Sequence, residues 1–168
     1  MDYKQLFETQ LKLDYRIKKE KDLHGVPLTE NKILALLVEI GEMTNELPEE
    51  FKHWSNKKNK LDKALEEHVD ILHFLLSIGN DIGYTTYTAL KPTNEKTTIQ
   101  KQILELYDFT AIFMNSLTFD EHVAHDPYQE LFNRFLNLGR LLGFSNETIE
   151  EAYYNKNKTN HDRQDNGY

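Results

Sequence analysis

Two helical stretches that each carry a pair of acids three residues apart constrain this chain most. The first runs from about Asn31 to Leu47 and holds Glu39 and Glu42; the second runs from about Lys60 to Ile82 and holds Glu67 and Asp70. Residues three apart on a helix share a face, one turn above the other. At about 100° per residue, Ala64, Ile71, Phe74 and Ile78 all fall within about 60° of Glu67, which places that carboxylate inside an apolar stripe. Leu36, Ile40 and Met43 form the stripe of the first helix, with Glu39 and Glu42 on its shoulder and Glu46 continuing the acidic edge. Unpaired charge facing a core costs several kcal/mol, and the nearest cations along these helices, Lys32 and Lys63, are two turns and one turn away. Four carboxylates with few cations suit a hard divalent ion with all-oxygen ligation, Mg²⁺, Mn²⁺ or Ca²⁺. The plain alternative is that these acids line solvated helix edges.

The rest of the chain reads as helical too. Leu6, Leu13 and Ile17, with Phe7 and Leu11 nearby, make the buried face of a helix from Tyr3 to about Lys21, with Gln10 and Asp14 one turn apart beside it. His24-Gly25-Val26-Pro27 breaks that helix, and Thr29 is the expected N-cap of the next. After Pro48, Phe51, Lys52 and Trp54 lie in an expected loop, where Trp54 is either a cap on the core or a stacking surface for a ring. A lysine-rich turn follows, containing Lys57 and Lys60. Residues 84–126 show weaker periodicity and read as an accessory or mobile segment. It has a β-prone Thr85–Thr88, a turn at Pro92-Thr93-Asn94, a helix over about Lys96–Leu117, and a polar break with His122 and His125 as loop residues. A helix over Tyr128–Leu142 ends at Gly143, and Ser145 caps the last one. The whole reads as an all-α bundle of five or six helices forming a single domain.

In the last stretch Lys156, Asn160 and Arg163 recur at i, i+4 and i+7 and share a face if helical. All three are donors, and Lys and Arg bind phosphate as point charge and bidentate fork. A frayed, solvated segment is the alternative.

With 168 residues, 39% apolar, and a net charge of −8, nucleic acid is an unfavourable partner on electrostatic grounds. The absence of cysteine excludes disulfides and thiolate metal sites. No apolar run reaches the roughly 18 residues that span a membrane, and MDYKQLFETQ does not read as a signal peptide, so a cytoplasmic location is expected.

Glu39-x-x-Glu42 followed by Glu67-x-x-Asp70 resembles the E-x-x-E…E-x-x-D metal motif of the all-α nucleotide pyrophosphohydrolases. The tail Lys156-Asn157-x-x-Asn160-x-x-Arg163-Gln164-x-x-Gly167-Tyr168, the loop Phe51-Lys52-x-Trp54-Ser55 and Gln10-x-x-Leu13-Asp14 resemble the dimeric all-α dUTPases, including members carried by phages of Gram-positive bacteria. Many members have Asn where this chain has Asp14. The resemblance covers nearly the whole chain. It implies a dUTP diphosphatase, acting on dUDP as well, in which Glu39, Glu42, Glu67 and Asp70 hold two or more Mg²⁺ ions and Glu39 or Glu42 takes the proton of the attacking water. It also implies phosphate binding by Lys156, Asn160 and Arg163, assisted by Lys57 or Lys60. Gln10, Asp14, Trp54 and Asn80 would contact the nucleoside. A homodimer is implied, and so is a further role as a regulatory module binding a phage- or island-encoded repressor, with 84–126 as its surface. A di-iron bundle is the rival in metal chemistry: Asp70-x-x-His73 imitates one of its Glu-x-x-His elements, but the fold needs that element on two helices.

Overall fold

A computed structural model describes residues 1–92, 96–118 and 124–167. Among these residues all regular structure is helical: α1 (Tyr3–Glu20), α2 (Thr29–Asn45), α3 (Pro48–Phe51), α4 (Leu61–Asp81), α5 (Ile99–Ser116), α6 (His125–Leu141) and α7 (Asn146–Asp165), with a 3₁₀ turn over Tyr87–Ala89. The expected all-α bundle is present, with the one-turn α3 as an addition in the stretch expected to be loop. Thr93, Asn94, His122 and Tyr168, which the sequence placed in a turn, a loop and the tail motif, lie outside the described residues.

The helix α4 organises the bundle. Its second half is buried nearly all round, with Ile71, Leu72, Leu75, Leu76 and Ile78 joining Ala64 and Val69 in the core, the pattern of a central helix. It packs against α1, α2, α6 and α7, while α5 lies against α2 and α6. One hydrophobic cluster runs through all of these, and α5, within the segment expected to be accessory, supplies Ile103, Leu106 and Phe113 to it. Leu11, read near the buried face of α1, is exposed instead.

Local chemistry sets the ends. Asp2 caps α1 by accepting from the Gln5 amide at 3.1 Å, Thr98 caps α5, and Ser145 caps α7 through the Thr148 amide at 3.1 Å. Gly83, at φ +66°, ends α4, and the Tyr84 amide turns back to the Gly79 carbonyl at 2.8 Å. Thr29 does not cap α2. It is the first helical residue, and its hydroxyl donates to Asp81 at 3.4 Å across to α4. Thr85–Thr88 forms no strand, because the segment tightens into the 3₁₀ turn. α6 begins at His125, before the expected Tyr128. Pro127 sits in its first turn, where a missing N–H breaks no intrahelical bond, and His125 is fixed by a 2.8 Å contact from Nε2 to the Ile82 carbonyl.

No helix among the described residues is long and apolar enough to cross a membrane.

Candidate functional site

α1, α2, α4 and α7 meet around a cavity of about 430 Å³. Each helix contributes residues from one face, one or two turns apart: Gln10, Asp14 and Lys18 from α1, Lys32 and Glu39 from α2, Asp70, His73, Phe74 and Ser77 from α4, and Lys156, Asn160, Arg163 and Gln164 from α7. Two of the four sequence-selected acids and all three tail donors therefore line one space.

Glu39, Glu67 and Asp70 form the acidic end. Each offers a carboxylate oxygen, these atoms all lie within 4.8 Å of one another, and the residues are half-buried. Glu42 stands outside that triad and is exposed, but its charge still acts on both neighbouring glutamates. Burial, then Asp70, Glu42 and Glu67, push the Glu39 carboxyl up to about 7, against the pull of Lys156. Burial and then Asp70 also raise Glu67. Three hard oxygen donors this close repel one another, and a bound divalent cation removes that repulsion, so the donor set fits Mg²⁺ or Mn²⁺.

This repulsion has a consequence for stability. The metal-free folded chain keeps the Glu39 proton up to about pH 7, whereas an ordinary glutamate releases it near 4.5. The folded state binds more protons across that window, so stability falls as pH rises from about 4.5 to about 7 and levels off above. Discounted for partial exposure, the loss is on the order of 1–2 kcal/mol, several degrees in melting temperature. Thermal melts in chelator at pH 5 and pH 7.5 read it directly; Glu39→Gln should flatten the difference and Mg²⁺ at pH 7.5 should reverse it.

Lys156 is already committed to the acidic end, its Nζ 2.5 Å from Asp70 Oδ2. Arg163 donates to Asn160 Oδ1 at 3.3 Å. Arg16 on α1 fixes this stretch of α7: it donates to the His161 carbonyl at 3.2 Å and pairs with Asp165 at 2.5 Å.

The other end of the cavity is a polar network that sequence reading left mostly unassigned. Gln10 and His73 are buried, and His73 Nδ1 lies 2.7 Å from Gln10 Oε1. The Tyr153 ring stacks on the His73 ring at 4.4 Å. Burial, with Lys156 adding, pushes the His73 ring down to about 3, against a nearby Tyr153 carbonyl. Lys32 reaches this end from α2 and pairs with Asp81 and Asp14. Its sequence neighbours give no sign of this, because both partners come from other helices.

Four expected contacts do not line the cavity. Trp54 is 70% exposed and touches His53 edge-on, so it is not a cap on the core. Lys57 is exposed; Lys60 pairs with Glu46 at 3.0 Å. Asn80 turns to the backbone and donates to the Phe7 carbonyl at 3.1 Å.

A helical bundle that gathers carboxylates at one end of a cavity, with cationic and amide donors beside them, has the chemistry of a hydrolase for phosphorylated small molecules. The family model described as dUTPase matches residues 2–168. The chain therefore belongs to the dUTPase family of the all-α type, hydrolases that act on dUTP. No curated protein matched the sequence.

Proposed function

We propose that this protein is a Mg²⁺-dependent dUTP diphosphatase that converts dUTP to dUMP and pyrophosphate, and dUDP to dUMP and phosphate. The observation that carries this reading is the Glu39–Glu67–Asp70 triad at the edge of a cavity that Glu39 and Asp70 line together with Lys156, Asn160 and Arg163. Glu39, Glu67 and Asp70 hold the divalent cation, with Glu42 beside them. When bound, the cation supplies charge neutralisation and the acidity that lets water act as a nucleophile near neutral pH.

The chain's own residues do the rest. Lys156 leaves Asp70 for the phosphates, and Arg163 and Asn160 hold their oxygens from the α7 side. Water adds to the α-phosphorus, its proton passes to Glu39 or Glu42, and the bond to the bridging oxygen breaks so that pyrophosphate leaves with the electron pair. Glu39 is favoured as the acceptor because it is the half-buried one of the two and lines the cavity beside Asp70 and Lys156. Gln10 and Asp14 face the nucleoside; Trp54, Lys57, Lys60 and Asn80 would need to move to take part. Pyrophosphate release with Mg²⁺ from dUTP, dTTP, dCTP and UTP tests the assignment. Release from dUTP alone supports it, and equal turnover of several nucleotides overturns the dUTP selectivity.

The protein acts as a homodimer in the cytoplasm. Support for the dimer comes from an apolar surface shared by two helices. On α2, Leu34 and Val38 are 65% and 50% exposed; on α5, Leu104, Tyr107 and Met114 are exposed in one stripe. The two lie side by side, since a Cβ at Gly41 would stand 3.4 Å from the Tyr107 hydroxyl. Leu34 and Val38 lead at four-residue spacing to Glu42, so a partner there would cover the acid that a lone chain exposes. The Val38→Glu, Leu104→Glu double variant should sediment as a monomer where the wild type sediments as a dimer. The phage- or island-encoded repressor that the resemblance allows would use the 84–126 segment, where Ile112 is also exposed.

A further inference from the structure

The last helix changes character along its length. Ile149, Tyr153 and Asn157 are buried at four-residue spacing, and no described residue after Asn157 is buried. From Asn155 to Asn166 the chain has no apolar side chain. Apolar packing therefore anchors the first part of α7 and leaves its last two turns to polar contacts. Those turns carry Asn160, Arg163 and Gln164, which line the cavity.

Arg16 of α1 meets that stretch with its whole guanidinium. Nη2 pairs with Asp165 at 2.5 Å, and Nη1 donates to the His161 carbonyl at 3.2 Å and stands 3.3 Å from His161 Nδ1. An arginine only donates, so that ring nitrogen accepts. Nε donates to Glu20 Oε1 at 2.7 Å on α1 itself, which fixes the plane of the fork. Glu20 and Asp165 are the last residues of α1 and α7, and a carboxylate at the carbonyl end of a helix opposes its dipole. The Arg16–Glu20 order is also the weaker of the two i, i+4 arrangements. Neither acid strengthens its own helix; together they hold one cation that joins the two helices.

At about 100° per residue, His161 and Asp165 stand on a different face of α7 from Asn160, Arg163 and Gln164. Arg16 does not line the cavity, so it grips the helix without competing for the donors. Arg163 lies beyond Asn157, the last buried anchor, by about 9 Å along the axis at 1.5 Å per residue. A tilt of about 10° at that anchor would shift Arg163 by about 1.5 Å, and a misplacement of about 1 Å can cost about a hundredfold in rate.

We propose that Arg16 is a positioning residue for phosphate binding: by clamping residues 161 and 165 to α1 it holds the turn that carries Asn160 and Arg163 where both reach the phosphates. The phosphate role rests on the dUTP reading above; the clamp does not. The acidic triad stands on α2 and α4 and does not depend on it.

Hydrogen exchange of the unliganded protein tests the clamp. Arg16→Met should speed exchange of the amides of residues 160–165 by about tenfold or more and leave those of 149–157 as they were. Asp165→Asn should act in the same direction, and adding it to Arg16→Met should change little further, because both remove one interaction. Unchanged exchange in both single variants overturns the clamp, and so does equal acceleration along the whole of α7.

Calorimetric titration then tests the positioning role. Arg16→Met should bind Mn²⁺ alone within about twofold of the wild type but bind pyrophosphate, with Mg²⁺ present, about tenfold more weakly. Arg16→Lys should recover little, because one ammonium cannot serve Asp165 and the His161 carbonyl together; full recovery would mark a long-range charge effect and overturn the proposal. Equal loss of both affinities marks a merely structural role and overturns it too, as does faster exchange with pyrophosphate affinity unchanged. A wild type that binds no pyrophosphate and hydrolyses no dUTP overturns the reading of function and the positioning role with it, while the exchange result still decides the clamp.

Discussion

Glu67→Gln should hydrolyse dUTP about a thousandfold more slowly than the wild type, or worse, at saturating Mg²⁺. Glutamine matches the shape of glutamate but offers no anionic oxygen. Glu67 is one of three acids whose oxygens lie within 4.8 Å of one another, and charge stabilisation at such a centre is worth several kcal/mol, with every 1.36 kcal/mol a factor of ten in rate. Stability should move the other way. Burial and the Asp70 charge already disfavour the ionised Glu67, so removing it relieves repulsion in the metal-free fold. Pyrophosphate release measured alongside thermal melts separates the two: lost activity with an equal or higher melting temperature is expected. A variant within tenfold of the wild type would show that Glu67 is not needed as a ligand.

Gly79→Ala should unfold far more easily than the wild type, by about 3 kcal/mol or more. Alanine is the better helix former by about 1 kcal/mol, so propensity alone predicts a gain. Packing decides otherwise. A Cβ at Gly79 would stand 2.5 Å from Phe7 Cε1 and closer still to the Tyr128 hydroxyl. Neither ring can retreat: Tyr128 is fully buried and donates to the Leu75 carbonyl at 2.7 Å, and Phe7 is stacked against Phe132 and Tyr87. Urea unfolding should show a lower midpoint with an unchanged slope. A stabilised variant would mean that α1 and α6 have room to move off α4.

The contrast between these two positions marks what the sequence could reveal. Glu67 and Asp70 were legible as neighbours because i, i+3 spacing on a helix dictates a shared face, whereas the same spacing paired Glu39 with Glu42, which stands outside the triad. Lys156, Asn160 and Arg163 were legible for the same reason, and Ser145 because capping is local chemistry. Gly79 was not legible, since its neighbours Phe7 and Tyr128 lie far away in the chain. Lys32 read only as a cation two turns from Glu39; its partners Asp14 and Asp81 sit on α1 and α4. Thr29 had the right chemistry for a cap, but Asp81 from α4 claims its hydroxyl. Lys60, in the lysine-rich turn, pairs with Glu46 fourteen residues earlier, a partner that its own helix does not supply. Periodicity within one helix is written in the sequence; which helices face each other is not.

The clamp between Arg16 and residues 161 and 165 joins positions about 145 residues apart. The cavity is thus closed by the first and last helices of the bundle together. A nascent chain emerging in order carries the acidic triad well before α7, and Lys156, Asn160 and Arg163 reach the cavity only once that helix has been made and docked. The proposed metal ligands therefore precede the proposed phosphate donors by most of the chain, and the two sets should meet only when α7 docks on α1. Proteolytic trimming within α7 should reverse that event, leaving the triad in place and the cavity open on one side.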